Sequence, residues 1–220
     1  MPKKKVRSDD HKMTRELKKT EFRVTIFGSA RIKPEDKIYK MVFKLAKEIG
    51  KQGFDVVTGG GPGLMEAANA GHAAGDKEQK ADNIGLTIQL PWEARGNKHL
   101  EIKKHFNKFS DRLDHFMALS RAVVIMPGGI GTCLEFFYTL QLIQVKHIKP
   151  IPIILVSPMW KNLYKWIEKN PVKNGLASPK DLKCIHYVKT PEEAMKMIMK
   201  EYKKFQKEGK KRNTAEYLDK

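Results

Sequence analysis

Short apolar runs alternate with longer segments of helical periodicity along most of the chain. Strands are predicted at RVTIFG (23–28), FDVVT (54–58), IGLTIQL (84–90), AVVIM (122–126), IPIILV (151–156) and CIHYV (184–188). Helices are predicted at 35–52, 64–74, 110–120, 132–145, 160–169 and 191–207. Residues 91–109 follow neither period, which indicates a polar loop with short helical pieces.

This alternation predicts the fold class. Strands that are apolar along their whole length are typical of a parallel sheet covered by helices on both faces. We therefore expect a single doubly wound α/β domain at 23–208, with a basic extension at 1–22 and a basic tail at 209–220. Ligands of such folds bind at the carboxyl ends of the strands.

The charge of the chain lies mostly near its two ends. The 220 residues carry 43 Lys plus Arg against 25 Asp plus Glu, a formal net charge of +18. Residues 1–23 and 195–220 each hold nine basic and four acidic side chains, so more than half of the excess is peripheral. A basic protein can bind nucleic acid, but the charge by itself does not identify that partner.

Three glycine-rich turns each follow a predicted strand and lead into a helix. They are GSAR (28–31), GGGPGLME (59–66) and PGGIGTCLE (127–135). Glycine lets the backbone approach a ligand closely, and the N–H groups at a helix start can bind an anion. Three such turns at one sheet edge predict a phosphate site, although none has the P-loop or dinucleotide spacing. The candidate phosphate ligands are Gly28, Ser29, Gly60, Gly61, Gly63, Gly128, Gly129, Gly131 and Thr132.

The third turn has a second interpretation. Thr132 and Glu135 have the T-x-x-E spacing of a helix capping box, as do Thr190 and Glu193, which no glycine turn precedes. Capping would explain Thr132 and Glu135 but not the glycines before them. A carboxylate in a first helical turn beside a phosphate site could also face the sugar of a nucleotide, so Glu135 is a candidate catalytic residue.

Several other classes of protein are disfavoured. No apolar run is long enough to span a membrane, and the first residues, MPKKKVRSDDHK, do not resemble a secretory signal. Cys133 and Cys184 are the sequence's two cysteines, which suits a reduced cytoplasmic protein. The seven histidines lack metal-ligand spacing, so we expect neither a metal nor another cofactor.

Together, GGGPGLMEAANAGHAAG (59–75) and PGGIGTCLE (127–135) resemble the Lonely Guy family, whose hallmark is PGGxGTxxE. Some of its members carried an older label of lysine decarboxylase. The resemblance runs from about 23 to 188 and implies a Rossmann-like homodimer. It also implies hydrolysis of the N-glycosidic bond of nucleoside 5′-monophosphates, either AMP or cytokinin nucleotides, to free base and ribose 5-phosphate.

The resemblance assigns roles to individual residues. Glu135 is the last residue of the hallmark and takes the catalytic carboxylate role, while Arg112 matches the arginine of a family Arg-Lys pair. Leu113 replaces the lysine of that pair, and Lys108 or Arg121 are candidates to supply the missing charge. Glu93 lies near a family glutamate that contacts the substrate.

Two alternative functions remain open. Molybdenum-cofactor carriers share this fold, so a nucleotide-like ligand could be bound without being cleaved. A related group binds single-stranded DNA, a role that would need exposed aromatic residues among the lysines. Tyr202 and Phe205 are candidates for it, but they also fit a helix packing stripe.

Overall fold

The computed structural model describes residues 3–88 and 96–208, and for 3–10 it describes the backbone alone. Its seven strands are β1 (Arg23–Phe27), β2 (Asp55–Thr58), β3 (Asn83–Ile88), β4 (Ile102–Phe106), β5 (Ala122–Ile125), β6 (Ile153–Val156) and β7 (Ile185–Val188). Its α-helices are α1 (Lys3–Lys18), α2 (Lys37–Lys51), α3 (Leu64–Gly75), α4 (Phe109–Leu119), α5 (Ile130–Gln144), α6 (Trp160–Ile167) and α7 (Pro191–Glu208). A π-helical turn (Glu168–Val172) and a 3₁₀ helix (Pro179–Cys184) lie between α6 and β7.

The strands form one parallel sheet in the order β4-β3-β2-β1-β5-β6-β7. The chain first builds outward from β1 through β2 and β3, then returns to place β5 on the other side of β1. The order therefore reverses between β1 and β5. In open α/β sheets, the crevice at the carboxyl ends of such strands is where ligands bind.

Helices cover both faces of the sheet. Successive strand residues point to opposite sides, so strands that are apolar along their length present an apolar surface on each face. On one face, α2, α3 and α7 pack against Val24, Ile26 and Val124. On the other, α1, α4, α5 and α6 pack against Phe27, Val123 and others. The expected doubly wound, Rossmann-like α/β architecture is thus confirmed.

Strand β4 was not expected, since residues 91–109 were interpreted as a polar loop with short helical pieces. Residues 102–106 (IKKHF) instead pair in parallel with β3, Ile84 opposite Ile102. As an edge strand, β4 has a neighbour on one side only. Its middle residues Lys103, Lys104 and His105 are therefore partly or fully exposed, and their polarity conceals the strand in the sequence.

Helix α1 is anchored at the amino ends of the strands, opposite the glycine turns. Glu16 of α1 and Asp55 of β2 both accept hydrogen bonds from the buried guanidinium of Arg23, at 2.9 and 3.0 Å. Near the other end of the chain, Tyr202 and Phe205 of α7 pack against Phe22 and Phe54, also at this amino edge. The end of α1 and the end of α7 thus lie at the amino edge, away from the turns, while the basic tail at 209–220 lies outside the described residues.

Across 3–88 and 96–208, none of the helices combines the length and the apolar character needed to cross a bilayer.

Candidate active site

The three glycine turns meet at the carboxyl ends of three adjacent strands, β2, β1 and β5. The first turn lies in the middle and is bonded to both of the others. The N–H of Ser29 donates to the carbonyl of Pro127 at 3.0 Å, and the Ser29 carbonyl accepts from the N–H of Leu64 at 2.9 Å. Gly28 packs between Leu64 and Met126 so closely that a β-carbon there would lie 2.9 Å from Leu64 Cδ1. The turns therefore form one continuous backbone surface.

The second turn needs glycine for its backbone conformation. Gly60 and Gly63 have φ angles of 70° and 67°, in the left-handed region where other residues are strained. A β-carbon at Gly63 would also lie 2.5 Å from the carbonyl oxygen of Ser29. These glycines are required by the turn itself and by its contact with the first turn.

The third turn opens α5, and here the capping-box interpretation is wrong. The helix begins at Ile130, and the N-cap position is held by Gly129, which has no side chain to cap with. Thr132 is already the third helical residue and is buried against Gly128. By contrast, the helix α7 is capped as expected: the N–H of Glu193 donates to Thr190 Oγ1 at 3.2 Å.

Open space lies around the start of α5. A β-carbon at Gly129 or Gly131 would meet nothing within 4 Å. The first N–H groups of a helix have no carbonyl partner within it, and the helix dipole favours an anion at this end. The start of α5 thus combines open space with N–H groups that lack a helical partner, and phosphate binding there stays a prediction.

Glu135 lies one turn into α5, and its side chain is 13% exposed. Burial raises the pKa of this carboxyl to about 8, although the nearby charge of Arg112 acts to lower it. Glu135 is therefore mostly protonated at pH 7 and mostly ionised at pH 9. A buried carboxyl with a specific charged neighbour is typical of a functional site.

Arg112 is brought to Glu135 by the pairing of α4 with α5. Its Nη1 lies 4.0 Å from Glu135 Oε1, and its Nε donates to the carbonyl of Leu86 at 2.7 Å. A weaker contact of 3.5 Å joins Nη2 to the carbonyl of Gly59, and the guanidinium lies over the ring of Phe116. The side chain is thus oriented by strand β3 and by the second glycine turn.

The residues considered as replacements for the missing family lysine lie in different places. Leu113 is buried, at 5% exposure, so this position offers no charge to a ligand. Arg121 lies just before β5, and its N–H donates to the carbonyl of Arg23 at the amino edge of the sheet. Because the glycine turns lie at the opposite edge, Arg121 cannot replace the charge of the missing lysine. Lys108 is the exposed N-cap residue of α4, at the same sheet edge as the turns.

One residue that contacts the second turn, Asn97, was not predicted from the sequence. Asn97 donates to the carbonyls of Gly60 and Gly61 and to Asn69 Oδ1. The interpretation of 91–109 as a loop gave no reason to select this residue. Glu93, expected near the substrate, lies outside the described residues.

A buried carboxyl, a guanidinium and three N–H-rich turns can together bind a phosphorylated ligand and act on a nearby bond. While Glu135 is neutral, Arg112 retains its positive charge for an anion. Once ionised, Glu135 can stabilise positive charge or accept a proton from water.

Comparisons with known proteins identify a family and several relatives. The family model described as "Possible lysine decarboxylase" matches residues 65–198. A pyrimidine/purine nucleotide 5′-monophosphate nucleosidase of Escherichia coli (strain K12) is 28% identical over 144 residues, covering 61% of this chain. The match spans 31% of that relative, about a third of its length. A probable cytokinin riboside 5′-monophosphate phosphoribohydrolase of Oryza sativa subsp. japonica is 29% identical over 153 residues, covering 69% of this chain and 71% of the relative.

Solved structures support the fold. The molybdenum cofactor carrier protein of Chlamydomonas reinhardtii superposes with a TM-score of 0.61 at 18% identity, covering 83% of this chain and 99% of that one. At this identity the similarity extends to the architecture alone. The family model, by contrast, covers well over half of this chain, including the third glycine turn and α5. The chain therefore belongs to the Lonely Guy family, whose sequence model is described as possible lysine decarboxylase.

Proposed function

We propose that this protein hydrolyses the N-glycosidic bond of nucleoside 5′-monophosphates, releasing the free base and ribose 5-phosphate. The observation that supports this most is the Arg112–Glu135 pair, held 4.0 Å apart beside the three glycine turns. The turns would take the phosphate, as N–H-rich helix starts do. The names of the Escherichia coli and rice relatives point to the same substrate class.

In this proposal the nucleotide is anchored at its phosphate and reacts at its sugar. Cleavage of a ribosyl bond passes through an oxocarbenium-like state that carries positive charge. The Glu135 carboxylate stabilises that charge or removes a proton from the attacking water, and Arg112 orients the nucleotide. Water adds to the sugar carbon, the bond to the base breaks, and the base leaves with a proton.

Incubation with AMP tests the proposal, and the pH dependence tests the role of Glu135. We expect free adenine to accumulate, with kcat/KM rising roughly tenfold in total between pH 7 and pH 9 and then levelling, because the reactive form is the carboxylate. Rates between pH 7 and 10 avoid the titration of the substrate phosphate, whose second pKa is about 6. A kcat/KM that falls with pH would assign Glu135 the role of an acid. AMP that is bound but never cleaved would favour a carrier.

We also propose that the protein is a homodimer that uses the outer face of α5. The helix buries Phe136 and Leu142, but Ile130, Leu134 and Phe137 are 87%, 44% and 39% exposed along one helical stripe. Apolar side chains in such a contiguous stripe mark an interaction surface.

Mass measurement in solution checks the dimer. Leu134→Glu should convert a dimer of the 25.2 kDa chain to monomer at micromolar concentration, because it places a charge in the apolar interface. Leu176→Glu is the matched control, since Leu176 is 79% exposed between the π-helical turn and the 3₁₀ helix. A monomeric wild-type chain, or a dimer that survives Leu134→Glu, contradicts the proposed interface.

The structure gives little support to the nucleic-acid alternative. Tyr202 and Phe205, its candidate stacking residues, pack against Phe22 and Phe54. They therefore belong to an aromatic cluster beneath α7.

We propose a cytoplasmic location, because Cys133 and Cys184 are both free thiols, as is usual in a reducing compartment.

A further inference from the structure

Asn97 uses every polar atom of its side chain close to the second glycine turn. Its Nδ2 donates to the carbonyl of Gly61 at 3.1 Å and to Asn69 Oδ1 at 2.8 Å, with a longer contact of 3.3 Å to the Gly60 carbonyl. Its backbone N–H donates to the Gly60 carbonyl at 2.8 Å, and its Oδ1 accepts from the N–H of His99. An amide is needed here, because the side chain must donate two hydrogens and accept one.

A buried network continues beneath this contact. Thr58 Oγ1 accepts from the N–H of Gly60 at 3.0 Å and donates to Asn69 Oδ1 at 2.8 Å. Asn69 Nδ2 donates in turn to Asn83 Oδ1 at 2.6 Å. Thr58, Asn69 and Asn83 are at most 1% exposed. Gly60 is consequently held at its N–H by β2 and at its carbonyl by Asn97.

These bonds determine the direction of a backbone donor. Because the peptide is planar and trans, the Gly61 N–H points away from the Gly60 carbonyl and hence away from Asn97. A glycine-rich turn binds phosphate only while its N–H groups are held in one direction. With φ of 70° at Gly60, other orientations of this peptide are readily accessible to the free chain, and Asn97 selects one of them.

We propose that Asn97 is a positioning residue that holds the phosphate-binding turn in one fixed arrangement. This role rests on the proposed function, since it concerns the binding of a nucleoside monophosphate.

Asn97→Asp tests this role with the smallest change of shape. The aspartate places a carboxylate against the Gly61 carbonyl and Asn69 Oδ1, where each atom can only accept. We expect KM for AMP to rise about tenfold or more, with kcat changing much less, because the turn binds substrate and does not react. A purely structural role would lower the active fraction, and therefore kcat, while leaving KM unchanged.

Binding measured without turnover removes the chemistry from the test. In a Glu135→Gln background, titration calorimetry with AMP should give a Kd about tenfold weaker for Asn97→Asp at pH 8. Asn97→Ala removes the same donors without introducing a charge and should also weaken binding.

Asn174→Asp is the matched control, since it makes the same chemical change at an exposed position beyond the π-helical turn. Equal AMP affinity of Asn97→Asp and its parent, with both folded by circular dichroism, overturns the positioning role. A wild-type chain that binds AMP but releases no base overturns the proposed function and leaves the role of Asn97 standing. A chain that does not bind AMP overturns both.

Discussion

Glu135→Gln is expected to lower the rate of adenine release from AMP by between about 10² and 10⁴-fold, the usual contribution of a positioned acid or base. Glutamine has nearly the same shape but can neither ionise nor accept a proton, so binding of AMP should survive. With AMP as the sole substrate, the released adenine is quantified by chromatography at pH 8, where about half of the wild-type Glu135 carboxyl is ionised.

The same substitution should change stability in a predictable direction. Because burial raises the pKa of Glu135 to about 8, ionising it costs folding free energy, and the wild type loses stability as pH rises from about 4.5 through 8. The variant lacks this loss. At pH 9 its free energy of unfolding should therefore exceed that of the wild type by on the order of a few kcal/mol, with little difference at pH 4.5.

Glu78→Gln is the control for this prediction. Glu78 is 71% exposed and pairs with Lys80 in the loop after α3, so its loss should change neither rate nor stability by much. Wild-type-like base release in Glu135→Gln would remove Glu135 from the mechanism. If the free energy of unfolding had the same pH dependence in the wild type and in Glu135→Gln, the raised pKa of Glu135 would be contradicted.

The interior of the fold could be predicted because its strands are apolar along their length. Strands such as AVVI of β5 are buried on both faces, and an uninterrupted apolar run carries that information directly. The edge strand β4 could not be recognised, since exposure of its middle residues allows Lys and His there. Periodicity reports burial, so it misses an edge strand whose middle residues are all polar; the other edge strand, β7 (IHYV), retains apolar residues and was predicted.

The glycine turns could be placed at one edge because parallel strands end together. What the sequence could not provide was their mutual contact, since the bonds from Ser29 to Pro127 and Leu64 join segments far apart in the chain. Helix register was also misjudged: T-x-x-E at 132–135 has the spacing of a cap, but the helix starts two residues earlier. A glycine N-cap leaves no side-chain signal in the sequence.

Burial of the Glu135 carboxyl is a property of the assembled helices. From the sequence, Glu135 and Arg112 are connected by family resemblance, whereas in the structure α4 and α5 bring them to 4.0 Å. The raised pKa follows from that packing and from no local pattern. The exposure of Leu134 and Phe137 on α5 is likewise set by how the helices pack.

Arg112→Met is expected to lower kcat/KM for AMP by about 10²–10³-fold, comparable to the loss of one preorganised donor in other active sites. The side chain removed places its charge 4.0 Å from Glu135, and its Nε bond to the Leu86 carbonyl holds it in place. Circular dichroism and thermal unfolding establish that the variant is folded. Arg15→Met, on the exposed face of α1, is the matched control and should retain full activity.

The pH profile separates this role of Arg112 from a general loss of binding. Because the Arg112 charge lowers the pKa of Glu135, its removal should shift the rising limb of kcat/KM to higher pH than about 8. Arg112→Lys retains the charge and should keep the limb near its wild-type position, while losing activity through the missing bond to Leu86. In an Arg112→Met, Glu135→Gln double variant, the two losses should be far from additive, because both groups act on one transition state. Additive losses, or a limb that stays at pH 8 in Arg112→Met, would show that Arg112 binds phosphate without influencing the carboxyl.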